Sequence, residues 1–140
     1  DVSPKNILVG SRGPIFLDAE CAWYGDPAFD VAFCLSHLIL KCAVRPECAR
    51  KLRLSFDAFT TAYLDYVSWE SRAALEQRAA TLLPGLLLAR CDGKSPVEYL
   101  VRDESQSAVR SVAIDLLKRP VECLSAVADA GVYALAGHRH

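Results

Sequence analysis

Apolar residues change their spacing once along this chain, near residue 27, and the change divides it into two unequal parts. Before that point Ile7-Leu8-Val9 and Pro14-Ile15-Phe16-Leu17 form short, partly β-branched runs on either side of Gly10-Ser11-Arg12-Gly13. That arrangement predicts a hairpin or a strand-loop-strand pair. Beyond the turn signal Gly25-Asp26-Pro27 the spacing is helical. Phe29, Ala32, Phe33, Leu35, Leu38, Ile39 and Ala43 recur at helical intervals until Arg45-Pro46 stops the run, as expected of a mostly buried helix. A second helix is predicted from about residue 47 to 66, with Leu52, Leu54, Phe56, Phe59, Ala62, Tyr63 and Tyr66 as its apolar stripe. A third begins near Ser71 and runs through Leu75 and Leu82-Leu83 toward Ala89, with Pro84 expected to kink or interrupt it. Ser95-Pro96-Val97-Glu98 has the form of a capping box with proline at the first helical position, so another helix is expected to open there. Two last helices are predicted over residues 107–117 and 120–135, followed by a frayed Gly137-His138-Arg139-His140 tail.

Composition narrows the class. The 140 residues suit one domain with one core, since a folded chain of this size buries about two-thirds of its extended surface. A net charge of −1, with charged residues spread along the chain and no basic block, argues against a nucleic-acid footprint or a polybasic membrane anchor. A small-molecule partner is expected instead. Six cysteines, at 21, 34, 42, 48, 91 and 123, form no CxxC pair, and several fall inside apolar helical runs. They are expected to be reduced and mostly buried. The apolar runs are too short to span a bilayer and no basic-then-apolar leader opens the chain, so a cytoplasmic location is expected. The chain begins at Asp1 and contains no methionine, which leads to the expectation that it is a fragment.

The residues with chemical potential are concentrated in the first thirty. Asp1 is followed five positions later by Asn6, then by the two apolar runs with their glycine loop, then by Asp18 and Glu20. Phosphoryl transfer needs an aspartate to orient the attacking hydroxyl and accept its proton, together with oxygen ligands that fix Mg²⁺ against the nucleotide phosphates. A D-x-x-x-x-N loop leading into a hairpin supplies both, because the second strand ends by presenting a carboxylate to the same metal ions.

Asp1-Val2-Ser3-Pro4-Lys5-Asn6-Ile7-Leu8-Val9, Phe16-Leu17-Asp18-Ala19-Glu20 and Tyr24-Gly25-Asp26-Pro27-Ala28-Phe29-Asp30 together resemble the aminoglycoside phosphotransferase and choline kinase superfamily, whose members have a protein-kinase-like fold. The likeness is specific over residues 1–37. It implies an α+β, mainly α-helical chain: a kinase-like C-lobe with a small β-hairpin near the N-terminus followed by a helical subdomain. Residues 1–30 would hold the catalytic loop, hairpin and metal-binding segment, 31–136 the helical subdomain, and 137–140 a tail. The family's catalytic loop reads H-G-D-x-x-x-x-N, which would place His-Gly immediately before Asp1. Carried over residue by residue, the resemblance implies Asp1 as catalytic base, Asn6 and Asp18 as Mg²⁺ ligands with Glu20 as a less secure third, and Asp30 as a buried aspartate bracing the catalytic loop. Ala19-Glu20 stands where protein kinases have phenylalanine and glycine, which favours a small acceptor over a protein. The implied activity is ATP-dependent transfer of the γ-phosphoryl group to a hydroxyl of a small molecule, aminoglycoside-like or another metabolite. Mg²⁺ is the implied cofactor and ATP the co-substrate. The glycine-rich phosphate loop and the strand lysine with its helix glutamate belong to an N-lobe outside these residues, so the isolated chain is expected to be inactive.

Several residues carry two readings. Glu20 is either a metal or outer-sphere ligand or a solvated loop carboxylate. Lys5 either approaches the transferred phosphoryl group or is a surface lysine. Asp92 and Lys94 either line the acceptor pocket or decorate a loop, and Asp26 reads as a turn residue or helix cap. His37 reads as a core or boundary histidine. A non-catalytic pseudokinase or helical binding module is the main alternative function, and a metal-dependent hydrolase ranks last because nothing visibly positions an attacking water.

Overall fold

A computed structural model of the chain describes residues 2–136, and they divide where the spacing of apolar residues divides. Strands β1 (Ile7–Gly10) and β2 (Gly13–Phe16) pair antiparallel, with Ile7 opposite Phe16 and Gly10 opposite Gly13. Gly13 has φ +112, a conformation that a side chain would make costly, and this closes the two-residue turn. Pro14 is tolerated because both strands of a two-stranded sheet are edges. A 3₁₀ turn over Pro4–Asn6 leads into the hairpin and another over Ala19–Cys21 follows it.

Five helices follow: α1 (Ala28–Val44), α2 (Ala49–Tyr66), α3 (Arg72–Asp92), α4 (Asp103–Lys118) and α5 (Leu124–Ala136). Helix α1 touches all four of the others, which explains why it is apolar nearly all round. Leu35, Ile39 and Leu40 of α1 are fully buried with Leu75, Leu83 and Leu87 of α3, Val109 of α4, and Leu124 and Val127 of α5. The described chain is therefore mainly helical, with one small hairpin at its start. No helix among the described residues is long and apolar enough to cross a membrane.

Helix starts are fixed by named acceptors. Asp26 Oδ1 accepts the Ala28 N–H at 2.9 Å at the head of α1, Ser71 Oγ accepts the Ala74 N–H at 3.4 Å, and Glu76 of α3 reaches across to accept the Leu124 N–H at 3.0 Å. Each satisfies a donor that the first helical turn leaves without an intrahelical partner. The cap at Leu124 explains why the last helix starts after Pro120 rather than at it.

Two local outcomes differ from expectation in part or whole. Of the kink or interruption expected at Pro84, the interruption does not occur, and α3 stays one helix of 21 residues. A proline inside a helix costs about 3 kcal/mol, and burial of Ala80, Leu83, Pro84 and Leu87 outweighs it. The capping-box sequence at Ser95-Pro96 opens no helix. The Val97 N–H is spent on the Arg90 carbonyl at 2.9 Å, and Arg90 Nη1 donates to the Ser95 carbonyl at 2.9 Å. Leu100 is then buried in the core while Gln106 Nε2 donates to its carbonyl at 2.9 Å. This strap between α3 and α4 gains more than a cap worth about 1 kcal/mol, and the helix begins instead at Asp103.

The cysteines are free, but only Cys34, Cys42 and Cys91 are buried; Cys48 and Cys123 are half-buried and Cys21 is exposed. Burial pushes the Cys34 and Cys42 thiols up to about 11, so they are inert, protonated members of the core.

Candidate active site

The hairpin brings Asn6 and Asp18 together. Asn6 lies immediately before β1 and Asp18 just after β2, so pairing of Ile7 with Phe16 makes them neighbours across the open end of the ladder. The Leu17 N–H donates to the Asn6 carbonyl at 2.8 Å, extending that ladder, and the Asn6 N–H donates to the Ser3 carbonyl at 2.9 Å. Asn6 Nδ2 then donates to Asp18 Oδ2 at 3.4 Å. Asn6 is buried while Asp18 is exposed, so the pair presents one anchored and one accessible oxygen-bearing side chain.

Asp18 is the described non-glycine residue with positive φ, at +59 with ψ +46. Aspartate tolerates this left-handed conformation better than most residues. The backbone turns there out of the β2 direction, aiming the carboxylate back toward Asn6.

Asp18 opens onto a cleft of about 840 Å³. One wall comes from the hairpin end and the segment after it, including Phe16, Leu17, Ala22 and Trp23; the other comes from α1 and α3, with Asp30, Phe29, Phe33, Arg78, Leu82 and Arg90. Positions 78 and 82, four apart, share one face of α3, and Arg90 reaches the same cleft from the helix's last turn. Asp26, at the rim, takes a bidentate contact from Arg78 (2.8 and 3.0 Å), and Arg78 also bridges Glu70 at 2.8 Å. The Arg78 hydrogen bond, with the Ala28 N–H, holds the Asp26 carboxyl below the usual carboxylate range. Asp26 is thus a helix cap and tether, as its sequence context suggested.

The other candidates are dispersed. Glu20 is exposed on the 3₁₀ turn and is not part of the cleft wall. Asp30 is half-buried in the first turn of α1, on the cleft wall. Lys5 is exposed, and its charge reaches His37. Asp92 receives a bidentate contact from Arg110, with the shortest N···O distance 2.7 Å, and neither Asp92 nor Lys94 lines the cleft. Asp1 lies outside the described residues, as do His138 and His140. His37 is buried, as a core histidine should be. Its Nδ1 lies 3.0 Å from the Tyr99 hydroxyl, while no partner meets its Nε2 among the described residues. Burial, then the charges of Arg90, Lys41 and Lys5, lower its pKa to about 4.

Among the described residues no three His, Cys, Asp or Glu side chains converge as a metal cage. Asn6 Nδ2 is the atom that faces Asp18, so the exposed Asp18 carboxylate is the hard oxygen ligand in this arrangement, and the Asn6 Oδ1 would have to turn toward it to join as a second. That suits Mg²⁺, which keeps several waters and takes one or two protein oxygens along with substrate phosphates. Sequence reading missed Arg78 and Arg90, because nothing in their neighbourhood distinguishes them from solvent-facing helix arginines.

Comparison with protein-family models, with curated proteins and with solved structures returned no match.

Proposed function

We propose that this chain is the carboxy-terminal, metal-binding part of a small-molecule phosphotransferase that transfers the γ-phosphoryl group of ATP to a hydroxyl. The observation that supports this reading best is the approach of the Asn6 amide to the Asp18 carboxylate, at 3.4 Å, on the edge of a cleft large enough for a small acceptor. The order D-x-x-x-x-N, hairpin, aspartate gives that pair its proposed meaning.

In this mechanism Asp18, with Asn6, would hold Mg²⁺, which would supply charge stabilisation to the nucleotide phosphates. Asp18 sits where its carboxylate is solvent-accessible yet tied to Asn6, so its orientation is set before ligands arrive. Asp1 is assigned the proton: as the acceptor oxygen bonds to the γ-phosphorus and the bond to the ADP oxygen breaks, the hydroxyl proton passes to the Asp1 carboxylate. Trp23, Phe29 and Phe33 supply the apolar surface on which the acceptor would lie. The nucleotide-binding lobe is assigned to other residues of the same polypeptide.

The test is Mg²⁺-dependent ATP consumption by the polypeptide that carries this chain, screened against aminoglycosides, amino alcohols and hydroxy acids. Turnover with one acceptor class, lost in Asp18→Ala and Asn6→Ala proteins that still fold, supports the proposal. Turnover that survives Asp18→Ala, or no ATP binding at all, would favour a non-catalytic binding module.

A further inference from the structure

We propose that Arg90 anchors an anionic group, a carboxylate or phosphate monoester, carried by the hydroxyl acceptor, and so makes this cleft selective for acidic acceptors. The acceptor role rests on the phosphotransferase reading above; the anion site itself rests on four observations.

Arg90 is on the cleft wall in the last turn of α3, and its guanidinium carbon is 4.5 Å from the centroid of the Phe33 ring. Phe33 in turn stacks on Phe29, with centroids 5.6 Å apart and planes 22° from parallel, and Phe29 stays partly exposed in the cleft. The wall therefore offers the partly exposed Phe29 ring, with the Arg90 cation held beside it over the buried Phe33.

Partner accounting separates Arg90 from the other arginines of its helix. Arg72 bridges Asp65, and Arg78 bridges Asp26 and Glu70. The acid nearest Arg90 in sequence, Asp92, is taken by Arg110. Among the described residues no carboxylate lies within 4.0 Å of the Arg90 nitrogens. A guanidinium has five N–H donors, and the bond from Nη1 to the Ser95 carbonyl uses one. The remaining donors suit a bidentate oxyanion.

The Ser95 bond and the Phe33 ring hold the guanidinium plane, so little side-chain freedom is left to lose on binding. The surroundings are also positive. The charges of Arg90, Lys41 and Lys5 all act on His37, one turn beyond Phe33 on α1, and His37 stays neutral beside them. The acids of the cleft do not cancel this end: Asp26 is spent on Arg78, Asp18 is beside Asn6, and Asp30 stands one turn before Phe33 outside salt-bridge reach of Arg90. A field of this sign concentrates anions at the aromatic wall.

The test uses the 140-residue chain with phenylacetate, phenyl phosphate and phenethylamine as probes, read by calorimetry and by NMR shifts of the Phe33 amide and the Arg90 Nε–H. The two anions should bind and move both signals, and phenethylamine should not. Arg90→Gln should weaken anion binding about ten-fold or more, and Arg90→Lys, which keeps the charge but loses the fork, by a smaller factor of about three to ten. If Arg90→Gln proves unfolded by circular dichroism, Arg90→Lys carries the test. Equal or tighter binding of phenethylamine, or anion binding untouched by either variant, would overturn the anchor. Displacement of phenyl phosphate by MgATP, with Arg90→Gln weakening both ligands by the same factor, would assign the anion to the nucleotide and overturn the acceptor role. Anion binding that needs Arg90, in a polypeptide with no ATP turnover, would leave the anchor standing while the phosphotransferase reading falls. Turnover indifferent to Arg90 would do the reverse.

Discussion

Every buried hydrophobic side chain of the described residues lies from Ala28 onward, in one shared core, whereas residues 2–27 bury only Ser3 and Asn6 and leave Val9, Phe16, Trp23 and Tyr24 largely in solvent. The helical part holds itself together: α1 is surrounded, and α3, α4 and α5 close around it. The hairpin pairs with itself, and the segment that follows it is tied to α3 at the head of α1 by the Asp26–Arg78 bridge. A two-stranded hairpin alone is marginal in water. Stability and candidate chemistry thus occupy different parts of the molecule. Low local stability is common in elements that ligands organise.

The sharpest way to test this division is to remove function without touching the core. Asp18→Ala should lower Mg²⁺-dependent phosphoryl transfer about a thousand-fold or more, with stability falling by no more than the cost of alanine in a left-handed conformation, about 1 kcal/mol, because the described side-chain hydrogen bond of Asp18 is with Asn6 on the hairpin side. A large fall in melting temperature would mean the hairpin does support the fold. The converse substitution, Leu83→Ala, should cost about 3–4 kcal/mol in urea unfolding followed by far-ultraviolet circular dichroism, since Leu83 is fully buried. Ile15→Ala in the hairpin should stay within about 0.5 kcal/mol, and similar losses for the two would erase the distinction.

Smaller effects sharpen the picture of the core. At Gly131 of α5 an added Cβ would meet Ile39 Cγ2 at 2.9 Å, so Gly131→Ala should destabilise by about 2 kcal/mol despite its better helix propensity; a gain in stability would show that α1 and α5 can part. His37 gives a pH signature. Its folded pKa of about 4 lies below the ordinary 6.5, so the unfolded chain binds the extra proton first. Its contribution is complete above pH 6.5 and is lost as pH falls toward 4, by about 1–2 kcal/mol. Replacing it by His37→Gln should flatten that part of the stability-against-pH curve; an unchanged slope would assign the acid sensitivity elsewhere.

How much of this was legible in the sequence follows from the range of the forces involved. The hairpin, α1 and α2 were readable because apolar spacing and turn residues act over a few positions, and the Asn6–Asp18 approach was readable because a short hairpin fixes which flanking residues meet. The strap over Ser95–Leu100 was not, because a local capping preference yielded to Leu100 burial and to two hydrogen bonds with Arg90. The cleft was only half legible. Its hairpin wall follows from chain order, but Arg78 reaches Asp26 across 52 positions, and Arg90 reaches Phe33 from a separate helix. Glu20, Asp92 and Lys94 show the opposite limit: their residue types suit chemistry, but their positions do not bring them to the cleft wall.

The pairing of Asn6 with Asp18 as a metal–nucleotide centre is most directly tested by paramagnetic broadening. Mn²⁺, which takes the same hard oxygen ligands as Mg²⁺, is added with ATP to the isotope-labelled chain. Broadening centred on the Asn6, Leu17 and Asp18 amides, sparing α2, α4 and α5 and abolished by Asp18→Ala, is the predicted result. Broadening centred elsewhere, or unchanged by Asp18→Ala, would contradict it.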